Sequence, residues 1–161
     1  MNNLLGVIDS IQKTEGSKPP CKKAVQKLVY LIQEAGTSLG YDFNIHFYGP
    51  YSSDLDAELR YLHSIGVLNI DKRDFGHLIS VDASPTPDSL THNVEKIISA
   101  FKDKAPSELE LLTTALYVQR ELVKNDSDSI VAGVTKIKGS KFQKTQIIGA
   151  IDELKTQQYF A

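Results

Sequence analysis

The sequence predicts a mainly α fold with a small β wing, an α+β chain with a winged-helix-like N-terminal core and a C-terminal helical lobe. Three observations predict it. Five or six segments carry apolar residues at helical spacing, and only three short segments read as strands. The order helix, glycine, strand, turn, strand occurs between Ser53 and Asp82, the layout of a winged helix. The expected division is 1–83 for the winged-helix-like lobe and 84–161 for a helical lobe packed against it, with a single domain over 1–161 as the alternative.

Each element has its own justification. Leu4, Leu5, Val7, Ile8 and Ile11 recur at helical spacing until the polar TEGSKPP. Residues 22–35 place Val25, Leu28, Val29 and Ile32 on one stripe, and Gly36 follows where a left-handed cap is usual. From Tyr41 to Tyr48 the chain alternates, with Phe43, Ile45 and Phe47 on one side and Asp42, Asn44 and His46 on the other, as a half-buried strand does. Gly49-Pro50 is expected to end that strand in a turn. Ser53 is expected to cap the next helix with Asp56 three residues on, and Leu55, Leu59, Leu62 and Ile65 form its buried edge until Gly66.

Residues 67–82 then read as two short strands, with Lys72 to His77 at the tip of the wing. Ala83 to Ser89 is the linker candidate, and Thr86-Pro87 suits a helix start. The following helix carries Val94, Ile97, Ile98 and Phe101. Pro106 and Ser107, with Glu110 three beyond the serine, open another that carries Leu109, Leu112, Leu116 and Val123. Ile130, Val131, Val134 and Ile137 mark a third, and Ile147, Ile148, Ile151 and Leu154 a last.

Composition bounds the function. A chain of 161 residues, 41% hydrophobic, is long enough to bury a core. With 18 basic and 20 acidic side chains the formal charge is −2, so no global field draws the molecule onto nucleic acid or an anionic membrane. MNNLLGVIDSIQK lacks the pattern of a secretory signal, and no apolar run has the length of a membrane span. A single cysteine, Cys21, fits a reducing, cytoplasmic setting.

The candidate sites are local. In FYGPYSSDLDAELRYL an aromatic turn runs into an acidic helix, and Tyr48 and Tyr51 offer large contact area at low entropy cost. The helix behind them stands where a winged-helix DNA reader places its recognition helix. It presents Asp54, Asp56 and Glu58 against a single Arg60, the wrong sign for a polyanion. Tyr48, Tyr51, Asp54, Glu58 and the wing-tip residues Arg73 and Phe75 are therefore the expected face for a protein partner. The alternative is an anion or nucleic-acid site at Lys136, Lys138, Lys141 and Lys144, the last two beside a helix start. The histidines at 46, 63, 77 and 92 lack metal-ligand spacing, and neither a nucleophile signature nor a glycine-rich phosphate loop occurs. The sequence calls for no cofactor or metal, and a homodimer is compatible with it.

The blocks KLVYLIQEAG, GYDFNIHFYGPYSSDLDAELRYL and SIGVL, with ELELLTTALYV and GVTKIKGSKFQKTQIIGAIDEL, resemble the YwgA-type family of uncharacterised bacterial and archaeal proteins. The resemblance covers most of residues 20–156, and Tyr48 to Ser52 is its most specific motif. Relatives have a serine cap and an acidic first turn where this chain has Gln143, Lys144 and Thr145. More distantly the family resembles the Panacea or SocA-like domain of antitoxins and proteolysis adaptors. That resemblance implies a non-enzymatic protein that works by holding another protein; the basic corner from Lys136 to Lys144 supplies the alternative, a nucleic-acid-binding transcriptional regulator.

Overall fold

The computed structural model describes residues 3–13, 18–73, 76–81 and 92–161, with Arg73 described in its backbone only. Among them are seven helices and two antiparallel two-stranded sheets, a mainly α fold with a small β part. Helix α1, Leu4–Gln12, buries Leu4, Val7, Ile8 and Ile11, the stripe its periodicity predicts. Helix α2, Lys22–Glu34, starts at Cys21, whose thiol accepts the Ala24 N–H at 3.4 Å. Every residue from Val25 to Ile32 is buried, including Gln26 and Lys27, so α2 is surrounded on all sides rather than half-covered.

The expected single strand over 41–48 is instead one arm of a hairpin. Strand β1 is Asn44–His46 and β2 is Gly49–Tyr51, paired Asn44↔Tyr51, Ile45↔Pro50 and His46↔Gly49. The chain turns at Phe47 and Tyr48, and Gly49-Pro50 opens the second strand rather than ending the first. Proline is tolerated there because each strand of a two-stranded ladder is an edge, and the Pro50 carbonyl faces α2 instead of β1. Phe47, expected on the buried side, lies at the turn and is 92% exposed.

Helix α3, Ser53–Ser64, is capped one residue earlier than expected. Ser52, not Ser53, accepts the Leu55 N–H through its hydroxyl, at 3.2 Å. Leu55, Leu59 and Leu62 are buried, whereas Ile65, beyond the last turn, is exposed. Strands β3, Asn69–Arg73, and β4, Gly76–Ser80, form the wing after α3, in register from Asn69↔Ser80 to Arg73↔Gly76. The predicted linker, Thr86-Pro87 and Phe75 lie outside the described residues.

Helix α4 is His92–Phe101, α5 Pro106–Leu122, α6 Ser127–Lys138 and α7 Lys144–Thr156. Pro106 takes the first position of α5 and Ala105 the cap, so the expected pairing of Ser107 with Glu110 does not form. Val123 is an exposed, left-handed cap rather than part of the apolar stripe. Ile137 likewise leaves the stripe of α6 for the surface. At the start of α7 the Gln146 side chain accepts the Gln143 N–H at 2.8 Å.

Among the described residues two buried clusters make the core. One joins Val7, Leu28, Leu31, Ile32 and Phe101 to the inward faces of α5, α6 and α7. The other joins Leu4, Ile8, Val25 and Val29 to Leu55, Leu59, Leu68 and Ile79. Helix α2 supplies residues to both.

Candidate functional site

Where α2 passes the β1–β2 hairpin and α3, the fold leaves an open cleft of about 370 Å³. Leu59, His46 and Tyr51 form apolar and aromatic wall, Phe47 and Tyr48 form the lip, and Lys22, Lys23, Lys27 and Asp56 supply the charge. Its floor is built from backbone contacts that α2 makes through buried polar side chains. Gln26 grips Ser52 twice, donating Nε2 to its carbonyl at 2.8 Å and accepting its N–H at 2.9 Å. Lys27 donates Nζ to the Pro50 carbonyl at 2.6 Å. These contacts satisfy polar groups that burial would otherwise leave costly.

Lys27 is held in the fold at 2% exposure. Desolvation, reinforced by the positive charge of Lys23 and offset in part by Glu110, brings its pKa down to about 7. Gly49 passes close behind it. A β-carbon there would lie 2.8 Å from the Thr114 hydroxyl oxygen and 3.5 Å from Lys27 Nζ, and the residue has φ +89°.

Next to the cleft the structure buries a carboxylate that sequence spacing assigned to a helix cap. Glu110 has no exposed side-chain surface and receives three lysines: Lys23 at 2.8 Å, Lys138 at 2.7 Å and Lys141 at 2.8 Å. Burial pushes its pKa up, but the hydrogen bonds from Lys138, Lys141 and Lys23 outweigh that and hold it at about 2. Lys138 also donates to the Phe47 carbonyl at 2.5 Å, fixing the hairpin turn to the end of α6. Lys23 and Lys141 stand over the Tyr48 ring at 4.5 and 5.3 Å from its centroid.

The residues singled out in the sequence are therefore dispersed. Tyr48 and Tyr51 both belong to the cleft. Tyr51 packs against His46 with ring centroids 4.9 Å apart and planes tilted by 45°, and its hydroxyl is raised in pKa by burial and then by the negative charge of Asp56. Asp56 is further tied to Lys22 at 2.6 Å and Arg60 at 3.2 Å. Asp54 is exposed on α3 outside the cleft, and Glu58 accepts the hydroxyl of Tyr41. Arg73 ends β3 on the wing, and Phe75 lies outside the described residues. The four lysines of the basic corner divide: Lys138 and Lys141 turn onto Glu110, while Lys136 and Lys144 are exposed.

Glu110, Lys23, Lys27 and Phe47 were missed in the sequence. The one available signal was an acid inside an apolar helical run, ELELLTTAL, next to Leu109 and Leu111. Among the described residues no three histidines, cysteines or acids gather as a metal-binding group, and no helix is long and apolar enough to cross a membrane. No family model matches the chain. It is similar to the protein of Bacillus subtilis (strain 168) described as uncharacterized protein YwgA, 24% identical over 143 residues that span 83% of this chain and 86% of that protein.

Proposed function

We propose that the chain is a non-enzymatic protein-interaction module whose docking face is the tip of the β1–β2 hairpin and the cleft behind it. The observation that carries this reading is Phe47, 92% exposed on a turn whose backbone is hydrogen-bonded to α2 and α6. Lys138 holds the Phe47 carbonyl, Lys27 the Pro50 carbonyl and Gln26 both backbone groups of Ser52. A large apolar side chain displayed on a pre-ordered backbone loses little entropy when a partner covers it, which is the property of an interface anchor. Tyr48, also exposed, extends the same surface.

An antitoxin-like or adaptor role in a prokaryotic cytoplasm, which the distant Panacea or SocA-like resemblance implies, is compatible with such a face. Nucleic-acid binding through the basic corner has less support. Lys138, with 4% of its side chain exposed, is buried against Glu110, so fewer cations remain for phosphates.

The test is affinity capture from cells of the native host with the wild-type chain and with Phe47→Ser. A partner should be retained by the wild type and lost by the variant, while circular dichroism and melting temperature stay the same. Equal capture of the same proteins by both would remove the hairpin tip as the docking face.

A further inference from the structure

The charge around the cleft differs from that of the molecule. The chain carries a formal charge of −2, yet three lysines and one carboxylate, Asp56, line this cavity. The carboxylates nearby are saturated. Asp56 is shared by Lys22 and Arg60, and Glu110 by Lys23, Lys138 and Lys141, so in these ion pairs among the described residues two acids answer five cations. The mouth is thus a local positive field around a largely apolar wall. Lys22 and Lys23 keep side-chain exposures of 25% and 28%, enough to meet an incoming anion.

Shape narrows the occupant. The cleft has room for one or two side chains, and its lip continues outward into the exposed Phe47 and Tyr48. A ligand confined to the cavity would leave that lip bare, whereas an extended segment fills the one and crosses the other. We infer that the cleft docks a linear acidic segment of a partner protein, with an apolar side chain entering between α2 and α3 and a flanking carboxylate meeting Lys22 and Lys23. This inference rests on the protein-docking reading above and names the chemistry of the partner.

The experiment is fluorescence polarisation of the full chain against three labelled short peptides, each with a central phenylalanine flanked by aspartates, asparagines or lysines. The aspartate peptide should bind at least about tenfold more tightly than the asparagine peptide, and that margin should shrink as salt is raised from low to physiological strength and above. Lys22→Gln should erase most of the margin, and Phe47→Ser should weaken all binding. The salt titration needs no variant, so it decides the charge argument even if a substitution disturbs folding. Equal binding of the aspartate and asparagine peptides, or preference for the lysine peptide, would overturn the acidic specificity, and loss of either signal in Phe47→Ser would leave the docking reading standing. Displacement of the aspartate peptide by decanoate with higher affinity would overturn it in favour of a small amphiphile. Absence of binding by any peptide overturns it too, and the capture comparison then judges the docking reading separately.

Discussion

Glu110 is the residue on which the cleft depends. A fully buried carboxylate is tolerable only because three ammonium groups surround it, and removing it leaves those charges facing one another. Glu110→Gln keeps the volume and deletes the charge. It should cost about 3 kcal/mol at neutral pH, read by urea denaturation, in line with breaking a buried ion pair from one side. The pH dependence has a definite sign. The folded-state pKa of about 2 lies below the ordinary carboxylate value of 4.5, so the stabilisation is complete above about pH 4.5 and is lost as pH falls toward 2. The gap between wild type and variant should therefore narrow on acidification across that window, and a gap that stays constant would contradict the assignment. Beyond an acid set in the apolar run ELELLTTAL, none of this was legible in the sequence. The partners of Glu110 lie 87, 28 and 31 positions away, and an acid three residues after a serine looks like a capping box when only local spacing is visible.

At the scale of elements, the hairpin is held against α5 by an approach that only glycine permits. Gly49 combines a positive φ of +89° with a missing side chain whose β-carbon would press on Thr114 at 2.8 Å. Gly49→Ala therefore meets both a backbone penalty and a clash, and should destabilise by roughly 2 kcal/mol or more, seen as a lower urea midpoint. A neutral result would mean that the hairpin shifts away from α5 at little cost. The helices were largely readable, because Leu55, Leu59 and Leu62 or Ile147, Ile151 and Leu154 repeat at the period of the structure that buries them. The hairpin was not. Its turn uses Phe47 and Tyr48, neither a turn-forming type, and the Gly-Pro beside them carries the stronger breaker signal. The cap at Ser52 was misplaced by one residue because two adjacent serines offer the same chemistry, and the choice is made by Gln26 gripping the backbone of the first.

For the whole molecule, α2 is the shared member. Val25 and Val29 pack into one cluster and Leu28, Leu31 and Ile32 into the other, from adjoining faces of one helix. Neither cluster can disperse without uncovering α2, so the chain should unfold in one step. Native-state hydrogen exchange near the urea midpoint is the check: amides of α3 and of α7 should share one opening free energy, and two separate values would mean that the clusters melt independently. The sequence made α2 evident as a helix through its stripe of Val25, Leu28, Val29 and Ile32. It did not show that the opposite face, with Gln26 and Lys27, is buried too, because polar residues at helical spacing read as a wetted surface unless their long-range partners are known.

The knot of Glu110 with Lys23, Lys138 and Lys141 also has an evolutionary corollary. Drift at any one of these positions strands the remaining charges in a desolvated setting, so it is penalised until the others follow. Lineages descended from this chain should hold the quartet intact or have exchanged it together for neutral side chains, and those four columns of an alignment should vary as one.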